Sequence, residues 1–264
     1  MDLGLKNKVA MVAAASSGLG RAVALGLARE GAKLAICSRD KSRIERAAEA
    51  IRAETHAEVL AMALDVGEQI DVERFTEKTL ERFDQIDICV TNAGGPPSKT
   101  FAETTIDDWE GAVRLNLAST VFFAHAVLPG MRARKWGRFI TVTSVAVKQP
   151  IDGLILSNSV RAAVAGLVKS LANECGPDNV LIHNVCPGYT ATDRLLSLAA
   201  KMAEREGVTR ETVIDRWAQQ TPLRRVCRPE EFADVVVFLA SERASYLTGG
   251  SLAIDGGMVR GTFG

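Results

Sequence analysis

Residues 8–30 read KVAMVAAASSGLGRAVALGLARE. The run 9–15 is short and apolar throughout, the pattern of a strand buried on both faces of a parallel sheet. The chain then turns through Ser16, Ser17, Gly18, Leu19 and Gly20 and resumes with helical periodicity in Ala22, Val23, Leu25, Gly26 and Leu27. A strand, a glycine turn and a helix N-terminus aim free backbone N–H groups and the positive end of the helix dipole at one spot. That makes an anion site, and the hydroxyls of Ser16 and Ser17 add hydrogen bonds to a phosphate. Because the turn opens a long alternation of strands and helices, it reads as a dinucleotide-binding element rather than an ordinary strand-to-helix connection.

The alternation runs through all 264 residues, and no Pro/Gly/Ser tract, charge block or repeat interrupts it. A single domain spanning 1–264 is expected. Lys+Arg and Asp+Glu balance at 32 each, which argues against a general nucleic-acid binder. Five scattered cysteines with no C-x-x-C motif read as small core residues in a reducing compartment. His183 and Cys186 fall on opposite faces of one strand with no third ligand nearby, so no metal site is expected. The polar N-terminus is unlike a signal peptide, and no uninterrupted apolar stretch of membrane-spanning length is apparent. A cytoplasmic protein without membrane partners is the expectation.

Downstream, a second strand over 33–37 ends in Ser38, Arg39 and Asp40, about twenty residues past the glycine turn, where the residue reading the adenosine ribose is expected. Arg39 suits a ribose 2′-phosphate and so favours NADP(H). Asp40 beside it keeps NAD(H) open. Further strands are expected over 58–64, ending at Asp65 and Val66, and over 86–90, running into Asn92, Ala93 and Gly94. Small residues there let a cofactor lie against the carboxyl edge of the sheet. A helix over 105–129 carries Asn116 in an apolar setting, either as a structural amide or as a site group. The strand 138–143 ends at Ser144. The helix 153–174 is apolar on nearly every side, which in an outer layer implies a partner subunit. A strand over 180–185 leads to Pro187, Gly188 and Thr192, and the helical segment 193–220 has the polar texture of a lid. A helix over 229–241 and a strand over 251–254 close the chain.

With these pieces in order, the chain resembles the short-chain dehydrogenase/reductase family, and most of all its 3-oxoacyl-carrier-protein reductases, over nearly its whole length. The match is carried by SSGLG (16–20), DV (65–66), TNAGG (91–95), RLNL (114–117), Ser144, NVCPGYTAT (184–192), RPEEFADVVVFLAS (228–241) and YLTGGSLAIDGG (246–257). The resemblance implies a Rossmann-type, doubly wound, seven-stranded parallel α/β sheet, a nicotinamide cofactor, a small carbonyl or alcohol substrate and a homotetramer built through the 153–174 helix. It further implies that Gly18, Leu19 and Gly20 cradle the pyrophosphate, Asp65 and Val66 hold the adenine, and Asn92 to Gly94 back the riboses. Pro187, Gly188 and Thr192 would hold the carboxamide, and Asn116 and Ser144 match two members of the family's Asn-Ser-Tyr-Lys tetrad.

The other two members are replaced. Counting from Ser144, and independently through RAAVAGL, the tyrosine position holds Ser157 and the lysine position, one helical turn later, holds Arg161. The glycine that opens the fingerprint is Ala14. A tyrosine hydroxyl titrates near 10, within reach of a neighbouring cation, whereas a serine hydroxyl is a far weaker acid and shorter by a ring. Arg161 keeps the charge and the ribose hydrogen bonds but is wider and stays protonated. Lys148 and Tyr189 are alternative proton sources, as is a water held by Ser144 and Ser157. The sequence therefore predicts a divergent NADP(H)-dependent oxidoreductase acting between a ketone and a secondary alcohol, with Ser144, Asn116, Arg161 and Ser157 in catalytic positions. The alternatives are a non-catalytic dinucleotide-binding protein and, more remotely, non-redox chemistry of the halohydrin dehalogenase kind.

Overall fold

The computed structural model describes residues 1–262. Strand β1 (Val9–Val12) is followed by α1 (Gly18–Arg29), β2 (Lys33–Ser38), α2 (Lys41–Thr55), β3 (Val59–Ala63), α3 (Gln69–Phe83) and β4 (Ile88–Thr91). The second half runs α4 (Ile106–Val113), α5 (Ser119–Ala133), β5 (Gly137–Val142), α6 (Ile155–Cys175), β6 (Val180–Pro187), α7 (Asp193–Glu206), α8 (Arg210–Gln219), α9 (Pro229–Ala240) and β7 (Ser251–Ile254). All seven strands pair in parallel in the order β3-β2-β1-β4-β5-β6-β7. The expected single-domain, doubly wound sheet is the observed one.

Side-chain alternation along each strand feeds two cores. Ala10 and Val12 face Val23, Ala24 and Leu27 of α1 and Phe232 and Val236 of α9. Met11 faces the opposite layer, with Phe75 of α3, Phe123 and Met131 of α5, and Val164 and Val168 of α6. Covered on both faces, the strands need apolar residues at every position, hence the uninterrupted runs in the sequence. At Gly26 a Cβ would stand 2.9 Å from Val237, so glycine there lets α1 settle closely on α9.

Strand order reverses between β1 and β4, and there the loops after the two strands diverge and open a crevice at the carboxyl edge. The strand β1 is shorter than the apolar run suggests: Ala13–Ala15 form a turn whose N–H groups still bond outward, Ala13 to Val90 and Ala15 to Cys37.

Two helical expectations change. The single helix over 105–129 is two helices joined by a wide turn, Arg114–Ala118, with Pro129 inside α5. The hydroxyls of Ser119 and Thr120 donate to the carbonyls of Leu115 and Asn116, occupying acceptors that a regular helix would use. The combined run Ile106–Ala133 does reach membrane-spanning length and contains an 18-residue window of mean hydropathy 1.3. Its Phe123, Val127, Leu128 and Met131 nevertheless pack into the sheet's core. The segment 193–220 breaks at Gly207, which adopts φ +66° and ends α7 in the left-handed conformation. The helix α6 buries Leu156, Val160, Val164 and Val168 against the core and leaves Ala162, Ala163 and Gly166 exposed on its outer side.

Candidate active site

Helix α1 begins without a side-chain cap, because Ser17 at its N-cap makes no hydrogen bond to the first turn. Helices α2, α4, α7 and α8 are capped by Asp40, Thr105, Thr192 and Thr209, whereas α3 and α6, like α1, have no side-chain cap. The first-turn N–H groups of α1 are thus left for a ligand. The turn before it is tight. Ala14 takes φ +51° and Gly18 φ +56°, and a Cβ on Gly20 would stand 2.9 Å from the Ala14 carbonyl carbon. The alanine therefore occupies the left-handed conformation that favours glycine.

A cavity of about 390 Å³ opens above this turn. Ser17, Gly18 and Leu19 form one end of it, and Asn92, Ala93 and Gly94 from the loop after β4 form its floor. Ser144, Ser157, Arg161, Pro187, Gly188 and Thr192 complete the wall. Residues from five separate stretches of chain thus converge as the sequence spacing suggested. Ser16 lies outside it, lining a second cavity of about 420 Å³ with Arg21, Arg43 and Arg46. Those arginines lie on α1 and α2 and were not apparent as site residues, because helix-surface arginines are ordinarily solvated. Gly20, Arg39, Asp65 and Val66 line neither cavity. Arg39 is exposed at the end of β2, and Val66 is buried. Asp65 accepts a hydrogen bond from the Gly67 N–H at 2.9 Å. Asp40 is committed to capping α2, accepting the Arg43 N–H at 2.9 Å.

At the sheet edge Ser144 has extended backbone, and its Oγ accepts the Ala146 N–H at 3.1 Å, starting a short helical turn. Its own hydroxyl proton is left to point elsewhere. Arg161 is 7% exposed, and its Nη1 donates to the carbonyls of Val142 at 3.0 Å and Thr143 at 2.9 Å. Burial, followed by repulsion from Arg194, pulls its guanidinium down to about 10. That still leaves it cationic at neutral pH. Ser157 is 8% exposed and faces the cavity from the preceding helical turn. Asn158 fixes the entrance loop, exchanging two hydrogen bonds with the backbone of Ile151.

Asn116 does not reach the main cavity. It borders a neighbouring space of about 10 Å³ shared with Asn92, Ser119, Thr120 and Arg161. Its Nδ2 donates to Ala112 at 3.3 Å, while its buried Oδ1 has no partner among the described residues. A space of that size suits roughly one water molecule.

Neither tyrosine presents a free phenol to the cavity. Tyr189 lines the cavity, but its ring stacks on Trp217 at 5.2 Å and its hydroxyl donates to Gln220. Burial raises its pKa, away from proton donation at neutral pH. Tyr246 stands fully in solvent. Lys148 does not line the cavity. No cluster of metal-ligating side chains occurs among the described residues.

A family model described as enoyl-(acyl carrier protein) reductase matches residues 13–259. The 3-oxoacyl-[acyl-carrier-protein] reductase FabG of Aquifex aeolicus is 32% identical over 258 residues, covering 98% of this chain and 100% of that protein. Among solved structures, L-sorbose reductase from Gluconobacter frateurii, complexed with NADPH and L-sorbose, superposes with a TM-score of 0.95 at 33% identity. It covers 99% of this chain and 100% of that one. Actinorhodin polyketide ketoreductase with NADPH gives a TM-score of 0.92 at 27% identity, over 97% and 98% of the two chains.

Proposed function

Since the chain belongs to the short-chain dehydrogenase/reductase family, we propose that it is a divergent NADP(H)-dependent oxidoreductase interconverting a ketone and a secondary alcohol. The observation that carries this reading is one cavity holding the uncapped phosphate turn at one end and Ser144, Ser157 and Arg161 at the other. A 3-oxoacyl compound is a candidate substrate by likeness to the Aquifex reductase.

The residues fit a dinucleotide. Gly18 to Gly20 would hold the pyrophosphate on the free N–H groups of α1, with Asp65 and Val66 at the adenine and Asn92 to Gly94 under the riboses. Arg39 would take the 2′-phosphate, and the engagement of Asp40 as a helix cap favours that over a carboxylate grip on free ribose hydroxyls. Pro187, Gly188 and Thr192 would hold the carboxamide. When bound, the nicotinamide supplies or accepts the hydride.

The chain's own part is to hold the carbonyl and manage charge. Ser144 donates its hydroxyl to the carbonyl oxygen. Arg161, buried and fixed by two backbone carbonyls, stabilises the oxyanion that develops there and binds the ribose. Without the tyrosine, the proton comes through Ser157 and water, with Asn116 Oδ1 holding the inner water of the relay. Such a route forgoes a good general acid, worth about 10²–10⁴-fold in rate. Helices α7 and α8 act as the lid. The exposed small residues of α6, beside a groove of about 480 Å³ against α5, suit packing against further copies in a homotetramer. Five free thiols and no disulfide accord with a cytoplasmic protein.

Calorimetric titration with NADPH and NADH tests the reading, followed by a carbonyl panel. Tighter NADPH binding with turnover supports it. NADPH binding without turnover on any carbonyl favours the second reading, a non-catalytic dinucleotide-binding protein, for which the replaced tyrosine speaks. Absence of binding to either removes both.

A further inference from the structure

Two guanidinium groups face the same cavity. Arg161 is buried, and its two hydrogen bonds both leave from Nη1, so Nε and Nη2 are without a protein partner among the described residues. Arg194, in the first turn of α7, reaches across to the loop after β4, where its Nη1 donates to the Gly95 carbonyl at 3.2 Å. Gly95 makes room for it, since a Cβ there would stand 2.8 Å from Arg194 Nη2. Neither arginine forms an ion pair among the described residues, and the two charges act on each other: Arg194 is the largest charged influence on Arg161. The one acidic residue on the cavity wall, Asp193, is exposed, as is Arg194, and it forms no ion pair with either arginine among the described residues. The remaining wall is largely apolar, with Ile151, Leu154, Leu195, Leu198 and Met258.

Arg161 is a buried cation without a counter-charge, and Arg194 adds a second positive charge at the cavity's exposed rim, so an anion entering between them meets both. We propose that the cavity takes a carbonyl compound carrying a carboxylate, an oxo acid with an apolar body. Arg194 forms the carboxylate's ion pair, and Arg161 supplies the positive potential behind it. The apolar wall receives the carbon skeleton, while Ser144 and Ser157 face the carbonyl. The proposal deepens the oxidoreductase reading and rests on it for the fate of the carbonyl, but the anion subsite is measurable as binding alone. The same chemistry could come from a cofactor phosphate, and the test separates the two.

The experiment is calorimetric titration with levulinate and α-ketoisocaproate, each against its methyl ester, on the protein with and without NADP+. The expected result is that at least one acid binds about tenfold or more tightly than its ester, with an advantage that shrinks as salt rises. Arg194→Met removes that advantage and leaves the Kd for NADPH in place. Gly95→Ala, which displaces the guanidinium without removing its charge, weakens the acid as well. Circular dichroism confirms that both variants are folded. Equal binding of acid and ester overturns the proposal, as does an Arg194→Met variant that loses NADPH affinity instead, which would assign the arginine to a cofactor phosphate. If NADPH itself does not bind, the oxidoreductase reading fails separately, and the acid-to-ester comparison on the cofactor-free protein still decides the anion subsite.

Discussion

Gly20 lies so close to the Ala14 carbonyl that a Cβ on it would overlap the peptide, 2.9 Å from the carbon and nearer still to the oxygen. Backbone rather than a flexible side chain forms this contact, so nothing can swing aside. Gly20→Ala is expected to cost about 1–3 kcal/mol of stability by overpacking and to weaken NADPH binding, read by urea unfolding and calorimetry. Ala14 stands on the other side of the same contact at φ +51°. Ala14→Gly relieves its backbone strain and is expected to tighten cofactor binding while moving Tm little, because glycine also loosens the unfolded chain.

Ser157 occupies a buried position that opens into a cavity large enough for a phenol ring. Ser157→Tyr restores a general acid one helical turn before Arg161, a permanent cation beside it. Turnover of a ketone by NADPH should rise by about 10²-fold, and its pH profile should gain a limb on the alkaline side. A folded variant that binds NADPH with unchanged turnover would show that the proton already has an adequate path.

Arg39 stands exposed at the end of β2, beside an Asp40 that is occupied as a helix cap. Losing charge-assisted hydrogen bonds to a phosphate removes about 1.5–3 kcal/mol, so Arg39→Ala should weaken NADPH by about tenfold to a hundredfold. NADH affinity should hold. Parallel titrations of the two cofactors make the comparison.

His183 is buried on β6 with its Nε2 unpartnered, and burial, aided by the Arg138 charge, lowers its pKa from 6.5 to about 4. Between those values the unfolded chain takes up a proton that the folded one refuses. Stability therefore rises with pH across this window and is lost on acidification from 6.5 towards 4. The contribution is at most about 3 kcal/mol. In His183→Leu the slope of unfolding free energy between these pH values should flatten, as measured by urea titration at each pH.

The parallel sheet was legible because burial on both faces leaves an unmistakable trace: apolar runs such as 88–91 and 180–182, each ending in small or polar residues at one edge. Ser144, Ser157 and Arg161 were named by counting along the family pattern the chain resembles, and the fold brings all three to one cavity. The turn at 114–118 was not. Its cause is a pair of hydroxyls, Ser119 and Thr120, that bond back to the backbone, and in sequence they look like ordinary helix residues. Arg194 was hidden for a different reason. Its meaning depends on Gly95, distant in sequence, and only the folded chain places the two together.

Thr192 belongs to two structures at once. Its hydroxyl starts α7 by accepting the Leu195 N–H, and its methyl is the neighbour that a Cβ on Gly18 would meet at 3.3 Å. The first turn of α7 thus rests on the glycine turn that opens α1. A change at Thr192 is therefore felt in two places at once, at the start of α7 and against the turn that opens α1.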